Sequence, residues 1–368
     1  DRRIYAGNAK RENLMIKKPV YGTLAATGFA LILGILIAIM LLLFLSSSPR
    51  DAIYYFFTGP LLTVRSFGNM VNVAVVLMLT GAGALLAFKS GIINLGGEGQ
   101  IYAGAVAATL ASFALPQVFP SAAGIFSCLI VGVITAALLA GVSGVLRILW
   151  DTDELLSTFL LSGATIPIIN YALSGPLRNQ SGYLLATEAI PETVFLTKIL
   201  PPSNLNTSLF FALPAVLLLF LFLFHTVWGR RLTLCGLNRE FAEYSGIKTG
   251  AYILYPLMIS GGFHGAAGSM WVMGTHHMSV IGFTSGMGWN GIVVALIARN
   301  HPLAVIPAAL LIAYIETGSK TAMLQTEFPF ELGTLVQALL LLFITATRIH
   351  PADLFSYFSR RRLERGKR

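Results

Sequence analysis

GIINLGGEGQIYAG, residues 91–104, sets five glycines, Asn94, Glu98 and Gln100 inside one of the most apolar regions of the chain. A carboxylate in that position needs a reason, and the reason depends on what surrounds it. The 368 residues are 55% hydrophobic and only 11% charged, with a mean hydropathy of +0.75. Such a composition does not furnish a soluble surface, so lipid is the expected solvent. An apolar run of about 18 or more residues reads as a membrane-spanning helix, because roughly 20 residues at about 1.5 Å each cross a hydrocarbon core of about 30 Å.

Ten spans are expected, near 22–46, 68–88, 91–114, 121–146, 154–174, 207–228, 250–271, 282–298, 302–318 and 330–347. Glycines weaken the periodicity of the third and eighth, and the ninth is short. The expected class is an all-α polytopic membrane protein. Its transmembrane domain covers 22–349, between basic cytoplasmic tails at 1–21 and 350–368. With both tails inside, 20 of the 25 Lys and Arg face the cytoplasm and only Arg50, Arg65, Arg178, Lys198 and Lys320 lie outside, which satisfies the positive-inside rule. The net charge of +9 then calls for no nucleic acid, since basic tails also favour the anionic headgroups of the lipid bilayer.

Cys128 and Cys235 lie far apart, on no metal-ligand spacing, and read as structural. The first apolar run is too long for a signal peptide and reads as a retained helix. Numbering starts at Asp1 rather than Met, so residues can precede it.

The longest polar interruption, about 175–206, falls outside in this topology and divides the chain into halves. Each half carries a glycine-interrupted apolar stretch, 91–104 in the first and GFTSGMGWNGIVVALIARN, 282–300, in the second. Transporters are often built from paired half-units with broken helices at matching positions around the substrate route. Gly81, Gly83, Gly132, Gly141, Gly261 and Gly262 read as packing positions, where small residues let helices approach closely. Packing does not account for Asn94 or Glu98.

Between the sixth and seventh spans lies GRRLTLCGLNREFAEYSGIKTG, residues 229–250. Asn238 can cap a short helix there, Glu240 sits in its first turn and Gly246 can end it in the left-handed conformation. Leu237, Phe241 and Tyr244 fall at i, i+4 and i+7 on one face. A two-turn helix does not hold itself together in water. It packs either on the ends of its own membrane helices or against a cytoplasmic partner, and spacing alone does not choose.

Enzyme signatures are absent. No P-loop occurs, and GGEGQIYAG lacks the spacing and strand-to-helix setting of a dinucleotide-binding turn. No H-E-x-x-H motif occurs, and adjacent His276 and His277 read as solvated loop residues rather than metal ligands. His225 and His264 can relay protons, though neutral, hydrogen-bonded histidines are commoner.

Three stretches resemble the permease subunits of bacterial ABC importers for simple sugars and nucleosides, in the group served by basic-membrane-protein lipoproteins. GIINLGGEGQIYAGAVAA is similar to the family's Asn-x-Gly-x-Glu-Gly-Gln signature, and GLNREFAEYSGI to its cytoplasmic Gly-x-Asn-x-x-x-Ala-x-Tyr-x-Gly-Ile segment. GFTSGMGWNGIVVALIARNHPLAVIPAA is similar to its late glycine-rich span. TDELLSTFLLSGA, residues 152–164, matches more loosely, departing at Thr152-Asp153 and at Ser162-Gly163, where relatives often have Asn-Tyr. If those positions touch substrate in relatives, the ligand differs here.

The resemblance covers about 20–350 and implies the ABC importer permease fold. The implied partners are a second permease, two cytoplasmic ABC ATP-binding subunits and an external solute-binding lipoprotein, with no cofactor and no ATPase site in this chain. It makes 237–247 a coupling helix, with Gly236, Asn238, Phe241, Ala242, Tyr244, Gly246 and Ile247 as coupling residues within a segment of about 229–249. It implies a bacterial inner-membrane location and a small neutral polar solute, a nucleoside first, with a flavin-like vitamin or a simple sugar as alternatives. Asn94, Gly97, Glu98, Gly99, Gln100, Ser285, Trp289 and Asn290 are expected to line or gate the route.

Glu98 is expected to lock helices near the inner gate rather than touch substrate. If the third span starts at Gly91, it lies about 10 Å inside the boundary, with Lys89 out of reach along a straight helix. The contrasting function is a stand-alone ion-coupled transporter in which Glu98, Lys89 or His264 carries a proton or ion.

Overall fold

The computed structural model describes residues 48–119 and 122–326, with single positions at 36, 39, 40, 43 and 338. The expected spans at 22–46 and 330–347, apart from those single positions, and both basic tails lie outside the described residues. The chain divides into two units, 57–318 on one hand and 1–56 with 319–368 on the other. The contacts described below lie in the first.

Besides the short helical turns Leu115–Val118, Glu192–Val194 and Val272–His276, the described helices are α1 (Pro49–Leu62), α2 (Val64–Lys89), α3 (Gly97–Ser112), α4 (Ala122–Trp150), α5 (Glu154–Ser174), α6 (Leu209–His225), α7 (Val227–Leu237), α8 (Arg239–Tyr244), α9 (Ala251–Trp271), α10 (Met287–Ile297) and α11 (Pro302–Gln325). Among the described residues there is no strand, only the isolated bridges Ala186–Val280 and Lys198–Asn206.

Helix α2 is the centre of the unit. Of its most apolar window, 89% is buried, against 11% for α5, so α5 stands at the edge of the packing. Helix α9 packs along α2, α3 and α4. Its approach to α4 is close: a Cβ on Gly265 would lie 2.5 Å from the Gly132 carbonyl oxygen. Small residues permit such backbone contact, which supplies the dispersion that the hydrophobic effect does not supply between helices in lipid.

Helices α2, α4, α5 and α11 are long and apolar enough to cross a membrane, and α6 with α7 form a fifth candidate bent by 76°. Three expected boundaries are corrected. The run at 91–114 becomes helical only at Gly97, because α2 ends in a left-handed Gly91 (φ +76°) and residues 92–96 are irregular. Gly91 N–H donates to the Phe88 carbonyl (3.1 Å) and Ile92 N–H to that of Ala87 (3.0 Å), the Schellman arrangement that closes a helix.

The run at 282–298 becomes helical only at Met287, since Gly282, Ser285 and Gly286 all have positive φ. The run at 207–228 ends at His225. Extended Thr226 then accepts the Gly229 N–H (3.0 Å) and starts α7 in a new direction. Residues 49–62, between the first two expected spans, are also helical, with Pro49 at the start and Asp51 in the first turn as helix-starting signals.

Candidate functional site

The polar centre forms where the chain leaves α2 and enters α3. Asn94 Nδ2 donates to Gln100 Oε1 (2.9 Å) and to Ser260 Oγ of α9 (3.0 Å), and Asn94 Oδ1 accepts from Gln100 Nε2 (3.0 Å) and Gly96 N–H (2.9 Å). Both amides are buried, with the capacity of Asn94 filled. Hydroxyls of α5 receive neighbouring backbone donors, Thr158 Oγ1 from Leu95 N–H (3.1 Å) and Ser162 Oγ from Gly99 N–H (2.8 Å). Asn94 and Gln100 thus join the α3 entry to α9, while Thr158 and Ser162 tie α5 to it.

Glu98, buried and in the first turn of α3, answers another helix. Its Oε1 accepts the Gly286 N–H (3.0 Å) and its Oε2 the Gly288 N–H (2.8 Å), at the N-terminus of α10. The unpaired first-turn donors of α10 and the positive end of its dipole face this carboxylate. The approach depends on Gly288, where a Cβ would meet Glu98 N at 2.3 Å. Tyr102, one turn further along α3, accepts the Gly282 N–H through its hydroxyl and packs on Phe283 at 4.9 Å between ring centroids. The charge near Gly91 is therefore not embedded mid-helix, as a straight third span would have it. It lies in a helix first turn. Lys89 does not approach it and stands instead over the Phe224 ring.

Of the expected route residues, Asn94, Gly97, Glu98, Gly99 and Gln100 are buried within this junction. Ser285 and Trp289 are exposed and Asn290 is half-buried, on the α10 side of the Glu98 contact. Sequence reasoning missed Thr158, Ser162 and Ser260 as members. Two hydroxyls at i, i+4 on an apolar helix were the available signal for the first two. Ser162, one of the departures from the family pattern, bonds the Gly99 backbone, and Asp153 caps α5 by accepting the Leu155 N–H (2.9 Å).

His264 is fully buried, packed against Gly83 and Gly97. His276 and His277 are partly buried rather than solvated. His277 stacks on Phe195 of the 175–206 connection at 3.8 Å.

A second constellation lies at the bundle end that carries the α2–α3 turn. Asn238 Oδ1 accepts the Phe241 N–H (2.9 Å) at the start of α8. At its end Gly246 (φ +78°) donates to the Glu243 carbonyl (2.9 Å) and Ile247 N–H to that of Ala242 (3.0 Å), a second Schellman closure. Thr249 Oγ1 donates to Glu243 Oε1 (2.5 Å), and Arg239 Nε lies 3.4 Å from the same oxygen. The Thr249 hydrogen bond chiefly, with help from Arg239, holds the Glu243 carboxyl below its ordinary range.

Ala242 is the buried anchor of α8, while Leu237, Phe241 and Tyr244 are 80%, 56% and 92% exposed. Leu237 belongs to α7, not to the helix of the other two, because extended Asn238 separates them. Among the described residues, none of the three is buried against the chain's own helices. Gly236 instead joins this segment to the α2–α3 turn: a Cβ there would lie 2.3 Å from the Lys89 carbonyl oxygen and 2.8 Å from Gly91 N. A cavity of about 200 Å³ beside this contact is lined by Gly91, Arg147, Glu154, Gly236, Arg239 and Thr249 among others. Arg147 bridges Asp151 (3.1 Å) and Glu154 (3.3 Å) across the α4–α5 turn.

Comparison with known proteins places these features in a family. Residues 66–345 match the family model described as branched-chain amino acid transport system / permease component. The chain is 30% identical over 318 residues to the "Probable riboflavin import permease protein RfuC" of Treponema pallidum, covering 86% of this chain and 84% of that protein. It is 26% identical to the "Guanosine ABC transporter permease protein NupP" of Bacillus subtilis, covering 86% and 92%. To the "Glucose ABC transporter permease protein TsgB13" of Haloferax volcanii it is 26% identical, covering 88% and 87%.

Proposed function

Since the chain belongs to the branched-chain amino acid transport system / permease component family, we propose that it is the membrane-spanning subunit of an ATP-driven importer for a small neutral polar solute, with a nucleoside first among candidates. A flavin-like vitamin and a simple sugar are the alternatives. Relatives named for riboflavin, guanosine and glucose support that range. In this proposal ATP is hydrolysed by separate cytoplasmic subunits, a second permease completes the route and an external lipoprotein delivers the solute. About ten spans suit the apolar run lengths, tails on the inside suit the positive-inside distribution, and a bacterial inner-membrane location belongs to the same proposal.

The observation that carries the proposal is α8. It is a six-residue helix closed at both ends, anchored by buried Ala242 and showing Phe241 and Tyr244 outward. A pre-ordered aromatic protrusion is what an interface needs, because little entropy remains to be lost on docking. Movement at α8 has a stiff path inward. The Gly236 backbone rests on the α2–α3 turn, that turn leads through Asn94 to Glu98, and Glu98 holds the first turn of α10. An ATPase that moves α8 thereby shifts helix ends beside Ser285, Trp289 and Asn290.

Stand-alone ion coupling gains no support. Both oxygens of Glu98 are engaged by fixed backbone donors, whereas a carrier group has to exchange partners as it works.

The test is replacement of Phe241 or Tyr244 by Glu in the complete transporter. Co-purification with the ATP-binding subunits is expected to be lost while the permease remains inserted. Unchanged association and uptake would contradict the coupling role.

A further inference from the structure

Phe159 of α5 and Trp289 of α10 form an edge-to-face pair with ring centroids 6.2 Å apart and planes inclined by 63°. Each is nearly half exposed, 45% and 43%. Their placement is fixed by the polar junction beneath them. Phe159 follows Thr158, whose hydroxyl receives the Leu95 N–H, and Trp289 follows Gly288, whose N–H binds Glu98. One turn further along α5, on the side of Phe159, Gly163 has no atom of the described residues within 4 Å of where a side chain would begin. The two rings therefore adjoin an open space on a rigid platform.

The polar groups nearby decide what such a platform can hold. A sugar is gripped through several hydrogen bonds to its hydroxyls, which require free planar polar side chains. Asn94 and Glu98, the strong polar groups of this region, are committed to the protein itself, and Gln100 pairs with Asn94. What faces outward is aromatic surface with one hydroxyl, exposed Ser285, and one planar amide, half-buried Asn290, fewer groups than the several hydroxyls of a sugar call for. Aromatic surface takes any flat π-face without demanding a hydrogen-bond pattern.

We propose that Phe159 and Trp289 are a specificity-determining pair on the translocation route that stacks a planar heteroaromatic ring, such as a nucleobase or a flavin ring system. The proposal rests on the importer function above and adds the substrate chemistry and Phe159. A stack on two exposed rings is strong enough to select flat solutes and weak enough to release them inward.

The test uses cells carrying the complete transporter and measures uptake of labelled guanosine, riboflavin and glucose at matched membrane levels of the permease. The expected result is uptake of guanosine or riboflavin that falls about tenfold or more in Trp289→Ala, as loss of one aromatic stack implies. In Trp289→Phe it should return to within about threefold, and Phe159→Leu should lower it in the same direction. Whichever flat probe is taken up tells base from flavin. Uptake unchanged in Trp289→Ala would mean that the rings face lipid, and overturns the proposal. So does a loss that Phe fails to restore, or a transporter that takes up glucose alone. Uptake that persists when the ATP-binding subunit cannot hydrolyse ATP defeats the importer function itself, and this proposal with it. ATP-dependent uptake indifferent to Trp289→Ala defeats only the stacking pair.

Discussion

Glu98 faces the positive ends of two helix dipoles, sitting in the first turn of α3 and closing the first turn of α10. A carboxylate near the middle of a membrane helix costs about 2.5–3.5 kcal/mol, and less towards the interface. Two hydrogen bonds to a charged group, each contributing about 1.5–3 kcal/mol net, offset it. Glu98→Gln keeps one acceptor and turns an amide NH₂ towards the other backbone N–H. The expected loss is about 1–3 kcal/mol, the cost of one unsatisfied buried donor, read as a lower temperature at which detergent-solubilised protein loses its monodisperse elution peak. Gly288→Ala is expected to be more damaging, because its Cβ would overlap backbone that does not yield. Equal stability of Glu98→Gln and the unaltered chain would remove the lock. That Glu98 needs a fixed partner was legible from its apolar setting. The partner was not, since the donors are backbone amides 188 and 190 residues away, and a backbone N–H carries no residue identity.

Helix α8 was legible because its signals are local: Asn238 before it, Glu240 in its first turn and Gly246 after it. What spacing did not reveal is that Leu237 ends α7, because the chain extends at Asn238. The half-length of α10 was hidden for a similar reason. Its glycines marked the run 282–298 as interrupted, but Ser285 has a φ of 45°, a conformation its residue type does not announce, so the start of the helix at Met287 was not legible. Asn238→Ala is expected to destabilise α8 by about 1 kcal/mol, seen as faster hydrogen exchange at Phe241 and Ala242.

Glu243 adds a pH dependence whose sign is set by its lowered pKa. A carboxyl held below its unfolded value of 4.5 contributes stability above that pH, lost as pH falls through the lower folded value. Protection of α8, corrected for intrinsic exchange, should therefore be constant near neutrality and fall below about pH 4.5. Glu243→Gln should remove that decline. A decline that persists in Glu243→Gln would assign it to another group.

At the scale of the molecule, the all-α membrane class was legible from composition and run length, whereas the bends that shorten α3 and α10 depend on turns that tertiary contacts hold. Sidedness gives a direct check. Tyr244 and Tyr183 are both almost fully exposed, and in the proposed topology they lie on opposite sides of the bilayer. Tyr244→Cys is expected to react with an impermeant thiol reagent only in inside-out vesicles stripped of the ATP-binding subunits, and Tyr183→Cys only in intact spheroplasts, against a background of buried Cys128 and Cys235. Labelling of both from one side would overturn the topology.

The proposed function predicts that the energy for uptake enters through α8 from a separate ATPase. The most direct measurement is uptake of labelled guanosine, riboflavin and glucose by cells carrying the complete transporter, first with an ATP-binding subunit unable to hydrolyse ATP, then with the membrane potential collapsed while ATP is maintained. The account predicts uptake that stops in the first condition and continues in the second. Uptake that continues without ATP hydrolysis and stops with the potential would contradict it.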